Sequence, residues 1–468
     1  MEKQAKRNSF KGSIGFVLAA AGSAVGLGNI WRFPYLAAKD GGGMFLVIYI
    51  ILALTFGFTL LITEIAIGRK TKQSPLTAYG KLHSKWKGLG VIACVVPIII
   101  LPYYCVIGGW VLKYFLTYLT GNGVSAAQDG YFTSFITGEY EPVIMLLLFL
   151  FATAFVIFKG VNKGIESFSK VLMPILILFV IIIAIFSLTI SHTDENGVTR
   201  TGLQGLMVYI VPNFTGMTVK SFFSVLLDAM GQLFFSLSVA MGIMITYGSY
   251  VHDDANLRKS INQIEIFDTA IAFLAGVMII PAVFTFAGTE GMEVSGPSLM
   301  FISLPKVFAA MGPIGNVVGC LFFAMVLFAA LTSSVSVMEA IVSSFMDKFK
   351  FSRVKAASIE TVIAVVLGII VCMGYNILYF EMKLPNGTTA QILDIMDYIS
   401  NNFLMPLVAI GTCILIGWII KPKTVIDEVE KNNVKMGRKR LYIVMIKYIA
   451  PIMLIVLFLK SVGILTVI

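Results

Sequence analysis

Charged residues are scarce in this chain. Only 13% of its 468 residues are Asp, Glu, Lys or Arg, whereas 58% are hydrophobic and the mean hydropathy is +0.90. A soluble globular protein has about 25% charged residues. Because so few charges cannot cover a surface in water, lipid must be the solvent for most of the exterior. The length suits many membrane-spanning segments of about 20 residues each.

Metal ligands and nucleotide-binding motifs are also few. The three histidines are scattered, which argues against a zinc site, and no GxxxxGK[ST] sequence is present to bind ATP phosphates. An ion gradient would therefore have to drive any uphill transport. An intramembrane enzyme would need a nucleophile with its base or a set of metal ligands, and neither is found. The five cysteines all fall in apolar stretches, where we expect packing rather than disulfides: 94, 105, 320, 372 and 413.

Eleven apolar segments account for most of the chain. We number them 1 to 11 in the order 13–36, 42–68, 88–119, 142–159, 165–189, 221–250, 261–288, 315–346, 357–380, 390–420 and 441–467. If the N-terminus is cytoplasmic, 27 of the 35 basic residues lie inside. This asymmetry is the positive-inside pattern and predicts eleven crossings with the C-terminus outside. The net charge of +10 then reflects topology and not a nucleic-acid partner.

Two of these segments contain polar and small residues at membrane depth. Segment 1 carries GSAVGLGN at 22–29, and segment 6 carries GQLFFSLS at 231–238. Free backbone groups at this depth are costly unless they line a cavity. Interrupted segments at corresponding places in two halves indicate a transporter's midplane binding site. Close helix packing through Gly22 and Gly26 is the alternative for segment 1, although Asn29 and the second interruption favour unwinding.

The pattern predicts an all-α polytopic membrane protein in one domain. The two interruptions sit at corresponding places if segments 1–5 and 6–10 form a five-plus-five inverted repeat, with segments 1 and 6 unwound at the midplane. The predicted divisions are a cytoplasmic N-terminal segment at 1–12, the first repeat at 13–189, an extracellular loop at 190–220, the second repeat at 221–420, a cytoplasmic loop at 421–440 and helix 11 at 441–468.

Ionisable residues inside spans are functional candidates because burying them is expensive. Asp268 lies deep in segment 7, where pairing with a neighbouring helix is its structural alternative. For Glu64 in segment 2, we favour a structural bond to unwound backbone over ligand contact. Arg32 could simply extend to the membrane surface. Asp394 and Asp397, at the outer start of segment 10, could be solvated or stabilise a helix N-terminus.

Segment 8 carries three adjacent hydroxyls at 332–334. Hydroxyls in membrane helices often bond back to the carbonyl one turn earlier, which is the plain interpretation. The alternative is a small hard cation, which needs several oxygen ligands. The backbone carbonyls of an unwound helix would complete such a shell.

Taken together, these motifs closely resemble the neurotransmitter:sodium symporter family. GNIWRFPY follows GSAVGL in segment 1, and later motifs keep the family's order and spacing over residues 6–420: GGG at 41–43, Glu64 with Gly68 and Arg69, Tyr103 and Tyr104, 232–238, 247–250 and 331–334. The nearest resemblance is to bacterial amino-acid carriers, including tyrosine transporters, which often have eleven helices. The fold implied is LeuT-like.

The resemblance implies two sodium sites and one amino-acid site. Sodium site 1 would use Ala24, Asn29, Ser236 and Asp268, completed by the substrate carboxylate. Sodium site 2 would use the Gly22, Val25 and Ala329 carbonyls with the Thr332 and Ser333 hydroxyls. The substrate would contact Ala24, Leu27, Gly28, Ile100, Tyr104, Phe235, Ser236, Ser238, Met241, Ser333 and Val337. Phe235 with Arg32 and Asp397 would form the outer gate, and Arg7 with Asp347 the inner gate.

Two departures from the family pattern narrow the function. Monoamine carriers have an aspartate where this chain has Gly26, so the resemblance implies an α-amino acid. Chloride-dependent members have a neutral residue at the position where this chain has Asp268. The resemblance therefore implies that the negative charge of Asp268 replaces chloride. Some chloride-independent relatives carry the acid one turn later, which is Ala272 here. The pocket residues imply a large hydrophobic or aromatic side chain.

The resulting expectation is sodium-coupled import of such an L-amino acid across the bacterial inner membrane, with two sodium ions and no chloride. Lipid and the small-molecule substrate are the expected partners, and no nucleic acid or obligate protein partner is expected. A sodium-dependent amino-acid sensor without concentrative transport is the alternative. A channel is a third possibility, which the coupled sites disfavour.

Overall fold

The computed structural model describes residues 9–194, 197–214, 217–294 and 296–465. Within them the apolar segments are helical, because lipid offers no partners for free backbone groups and a helix satisfies its own. Several of these helices include a π-helical stretch. The bounds in chain order are Ser13–Ala24, Gly28–Arg32 and Phe33–Lys39; Gly43–Leu52, Ala53–Gly57 and Phe58–Thr71; Lys87–Leu119; Glu141–Phe158; Val161–Glu166 and Ser167–Thr189; Val219–Ser236 and Ile243–Ser249; Leu257–Ala287; Pro313–Phe349; Arg353–Met373; Ile392–Asp397, Tyr398–Leu404, Met405–Ile414 and Leu415–Ile419; Lys439–Val444, Met445–Ile449 and Ala450–Ser461.

Short elements connect these helices. The connecting helices are Pro75–Leu82, Ser84–Trp86, Gly123–Ala126, Tyr131–Ile136, Gly202–Ile210, Glu290–Glu293, Gly296–Ser298, Leu299–Ser303, Leu304–Ala310, Lys423–Val429 and Lys431–Asn433. Two small antiparallel pairs are the strands present in the described residues: Ser191–Thr193 with Thr199–Thr201, and Met382–Lys383 with Thr389–Ala390.

The number of crossings can be compared with the eleven predicted. In the described ranges, nine helices are long and apolar enough to span a membrane, and Ser13–Ala24 with Gly28–Lys39 forms a tenth span bent by 54°. The remaining predicted crossing is segment 6, which is split into Val219–Ser236 and Ile243–Ser249. The prediction of an all-α polytopic membrane protein is confirmed.

The centre of the bundle lies where the two interrupted segments meet their neighbours. Segment 3 packs along segment 8, segment 5 packs along segment 7, and the first half of segment 1 contacts segments 5, 7 and 8. The five cysteines are free, as predicted, and all but Cys320 are buried.

Small residues bring two backbones together at the end of segment 2. A Cβ at Gly68 would lie 2.0 Å from the Ile245 carbonyl oxygen, and one at Gly248 would lie 2.3 Å from the Ile65 carbonyl oxygen. Neither position therefore has room for a side chain. This reciprocal contact fixes the second half of segment 6 against segment 2, as small residues do in membrane helix packing.

Candidate functional site

The interruptions of segments 1 and 6 lie side by side. The first helix of segment 1 ends at Ala24, Val25 has extended backbone (ψ 90°), and helical structure resumes at Gly28. In segment 6 the backbone between the two helices takes left-handed conformations at Ser238 (φ 53°) and Ala240 (φ 63°). Such conformations are unfavourable for residues with a Cβ and concentrate at functional sites.

Glu64 stabilises the interruption in segment 6. Its Oε1 accepts a hydrogen bond of 2.6 Å from the Ala240 amide, a group that the interrupted helix leaves without a helical partner. The Glu64 side chain is buried and makes this contact across 176 residues of sequence. The predicted structural role for this carboxyl is confirmed.

Three predicted ligands of sodium site 1 form one buried cluster. Asn29 Nδ2 donates to Asp268 Oδ1 at 2.8 Å, and Ser236 Oγ lies 2.7 Å from the same oxygen and 3.1 Å from Asn29 Oδ1. Asp268 Oδ2 has no hydrogen-bond partner in the part of the chain that the structure describes. Oxygens of a carboxylate, a carboxamide and a hydroxyl are the donors that a hard cation prefers. Ala24 lines the adjoining cavity.

The predicted residues of sodium site 2 lie on segments 1 and 8. Thr332 Oγ1 donates to carbonyls three and four residues earlier in its own helix, those of Ala329 and Phe328, each at 3.0 Å. Ser333 Oγ instead reaches segment 1, 3.4 Å from the Gly22 carbonyl oxygen. A Cβ at Gly22 would lie 3.3 Å from the Thr332 Cβ, which shows how closely the two segments approach. Val25, also predicted for this site, has extended backbone directly after the helix that ends at Ala24.

A small cavity of about 30 Å³ lies between the two interruptions. All eleven residues predicted to contact substrate line it, and they come from segments 1, 3, 6 and 8: Ala24, Leu27, Gly28, Ile100, Tyr104, Phe235, Ser236, Ser238, Met241, Ser333 and Val337.

The cavity has one polar and one apolar part. Asn29 and Ser236 join it to the Asp268 cluster, and the buried Tyr104 ring lies near Gly26, since a Cβ there would be 3.4 Å from the Tyr104 hydroxyl. The start of a helix at Gly28 leaves amide donors free to bind an anion. Apolar side chains supply much of the remaining lining, among them Ile100, Met241 and Val337.

Sequence reasoning missed several residues of this site. Ser23 and Ile243 also line the cavity, and Ser238 donates to the Ser23 carbonyl at 3.0 Å. Gln232 Nε2 donates to the Gly28 carbonyl at 3.0 Å and so joins segment 6 to the resumed helix of segment 1. Tyr49 is fully buried and its ring packs edge-on against Phe33 of segment 1. Ser23 and Gln232 fall within the two interrupted stretches, which were the only sequence signal for them.

The residues predicted to form the outer gate are Phe235, Arg32 and Asp397. Phe235 covers Gly28 so closely that a Cβ there would be 2.9 Å from its ring. Arg32 reaches to 3.6 Å from where a Gly231 Cβ would be, yet no ion pair joins it to Asp397 within the described residues. Asp397 instead accepts a hydrogen bond of 2.6 Å from Asn401. The outer gate is therefore not closed by the predicted pair.

The predicted inner side is tightly packed. The Phe10 ring lies 5.7 Å from Tyr247 and 6.1 Å from Tyr250, measured between centroids, and its amide donates to the Tyr250 carbonyl. Asp347 accepts a hydrogen bond of 2.6 Å from the Ser74 amide. Its predicted partner, Arg7, lies outside the described residues.

A model of the sodium:neurotransmitter symporter family matches residues 7–128 and 135–467. The chain belongs to this symporter family. Its members are secondary transporters and not enzymes. The symporter is thus a sodium-dependent, multi-pass membrane protein, as the motifs predicted.

Individual relatives agree with this assignment. The uncharacterized sodium-dependent transporter YhdH of Bacillus subtilis is 35% identical over 460 residues, with 97% of each chain covered. An uncharacterized sodium-dependent transporter of Haemophilus influenzae is 31% identical over 477 residues, which cover 97% of this chain and 98% of the relative. The crystal structure of MhsT in complex with L-phenylalanine superposes with a TM-score of 0.83 at 35% identity, covering 97% of the symporter and all of that chain.

Proposed function

We propose that the symporter imports a hydrophobic or aromatic L-amino acid together with two sodium ions, without needing chloride. The observation that carries the proposal is the cavity that joins the Asn29–Ser236–Asp268 cluster to apolar walls formed by Ile100 and Val337. A substrate carboxylate placed at the polar end would complete the ligands of the first sodium ion. Binding of the ion and of the substrate would then depend on each other.

The apolar walls favour a large side chain over a charged one. Met241 is flexible and polarisable, which suits an aromatic ring. The binding of L-phenylalanine by MhsT supports the same substrate class. Glycine at position 26 leaves no carboxylate to hold an amine, which argues against monoamines.

Alternating access is the proposed mechanism, with segments 1–5 and 6–10 as inverted repeats and the N-terminus in the cytoplasm of a bacterium. Each sodium ion contributes about 2.3 kcal/mol at 100 mV. A tenfold gradient adds about 1.4 kcal/mol per ion. Two ions would thus supply roughly 7 kcal/mol, enough for about 10⁵-fold accumulation.

Uptake into proteoliposomes tests this function. We expect labelled phenylalanine or tyrosine to accumulate above equilibrium with external sodium and not with choline, in chloride-free buffer for both. A panel of unlabelled amino acids then ranks the substrates by competition. Sodium-dependent binding without accumulation would instead identify a sensor, and no sodium-dependent uptake of any hydrophobic amino acid would refute the proposed substrate class.

The second sodium site predicts an effect of hydroxyl removal on segment 8. Ser333→Ala and Thr332→Ala should each raise the sodium concentration for half-maximal uptake roughly tenfold, since each removes a ligand of the ion. Ser334→Ala is the matched control, because Ser334 Oγ lies 2.9 Å from Thr153 Oγ1 of segment 4, away from segment 1. Unchanged sodium dependence in both site variants would remove these hydroxyls from the ion site.

A further inference from the structure

A basic pocket lies where segment 10 ends and segment 11 begins, far along the chain from the transport cavity. It has a volume of about 340 Å³ and its lining includes four lysines, Lys421, Lys423, Lys439 and Lys447. Lys421 follows segment 10, Lys423 begins the helix Lys423–Val429, and Lys439 and Lys447 lie on the helical stretch that starts at Lys439 and continues into segment 11. The surface around it is therefore assembled by tertiary structure and is not a run of adjacent charges.

Little acidic charge offsets these lysines. Lys439 pairs with Glu430 at 3.0 Å, and Asp427 is the single carboxylate among the lining residues. Lys421, Lys423 and Lys447 form no ion pair with the described residues. Lys421 also has a left-handed backbone (φ 68°), a conformation usually given to glycine or asparagine at the end of a helix. The pocket therefore carries an uncompensated positive charge.

The pocket also lies next to the lipid-facing surface. The rings of Trp418 and Tyr448 meet edge-on at 5.5 Å, and about half of each side chain is exposed (54% and 49%). Trp418 Nε1 donates to the Lys447 carbonyl at 3.1 Å, which links the aromatic pair to the pocket. Exposed tryptophan and tyrosine beside apolar spans are typical of the membrane–water boundary. Ile426 and Ile443 supply apolar surface inside the pocket.

We propose that this pocket binds the phosphate of an anionic phospholipid, with the lysines around the headgroup and the acyl chains leaving past the exposed aromatic pair. Basic pockets between membrane helices bind such headgroups through charge attraction at the membrane surface. The apolar lining and the adjoining lipid-facing surface favour a lipid over free phosphate. The site would stabilise the contact of segments 10 and 11 with the intervening loop.

Thermal unfolding and native mass spectrometry of the full-length protein in neutral detergent test the proposal. After removal of lipid, phosphatidylglycerol is expected to raise the midpoint of unfolding and to remain bound in the mass spectrum, whereas phosphatidylcholine does neither. The triple variant K421Q/K423Q/K447Q should weaken phosphatidylglycerol binding roughly tenfold to a hundredfold. Lys421 and Lys423 are exposed and Lys447 is half-buried, and the lipid-free unfolding midpoint verifies that the variant folds.

The control variant K348Q/K350Q/K355Q removes equal charge from exposed lysines of the segment 8–9 connection and should bind the lipid as the unmodified protein does. Equal weakening in both triple variants, or none in either, would overturn the pocket as the site. Inorganic phosphate that stabilises as well as phosphatidylglycerol would overturn the lipid as its ligand. Sodium-dependent phenylalanine binding, measured separately, distinguishes failure of this proposal from failure of the transport function.

Discussion

Replacing Asp268 with asparagine is expected to abolish sodium-driven uptake in chloride-free buffer. The carboxylate lies in a fully buried cluster and is held there by donors from Asn29 and Ser236. Two unit charges 4 Å apart attract by about 4 kcal/mol at an effective dielectric constant of 20. Loss of this charge should therefore lower the apparent sodium affinity on the order of a hundredfold or more.

Chloride gives this experiment a second readout. If the Asp268 carboxylate supplies the negative charge that chloride supplies in other family members, added chloride should restore part of the uptake by Asp268→Asn. Uptake by the unmodified protein should not change. Initial rates over a range of sodium concentrations, in gluconate and in chloride buffers, measure both effects. Asp254→Asn, an exposed carboxylate in the loop before segment 7, is the control. If Asp268→Asn and the unmodified protein show the same sodium dependence without chloride, the Asp268 charge does not replace chloride.

The interruptions were predictable because their residue types conflict with membrane depth. Glycine, serine and asparagine at 22–29 and 231–238 conflict with a plain spanning helix, and the structure interrupts segment 1 within the first stretch and segment 6 from the end of the second. The resemblance then placed eleven residues that the structure gathers around one cavity. Asp268 was conspicuous for a related reason, since a lone carboxylate in an apolar run needs partners.

Other residues carry no such signal in a single sequence. Tyr49 reads as an ordinary core aromatic within an apolar run, and only folding brings it against segment 1. Ile243 lines the cavity because segment 6 turns at Gly242, whose φ of 77° favours glycine. Arg69 was noted only as part of a motif, because its partner lies 359 residues away. Long-range pairing is decided by tertiary structure, which local pattern does not encode.

Arg69→Ala is expected to cause the largest loss of stability among single changes on the predicted inner side. Arg69 and Glu428 are buried (1% exposed each), and Arg69 Nε donates to Glu428 Oε1 at 2.8 Å. The guanidinium also donates to the carbonyls of Glu428 and Ala255, so it joins segment 2, the loop before segment 7 and the 421–440 loop. Removing one partner of a buried ion pair typically costs about 3–5 kcal/mol.

Unfolding in detergent at increasing denaturant measures this loss as a decrease in the free energy of unfolding. Lys70→Ala, the exposed neighbour of Arg69, should change it by no more than about 0.5 kcal/mol. The double variant Arg69→Met/Glu428→Leu should recover much of the loss, because neither charge is then buried alone. Lys431 also pairs with Glu428 at 3.0 Å and should limit the cost of Arg69→Ala to the lower part of that range. If Arg69→Ala and Lys70→Ala unfold alike, the pair does not hold the 421–440 loop to segment 2.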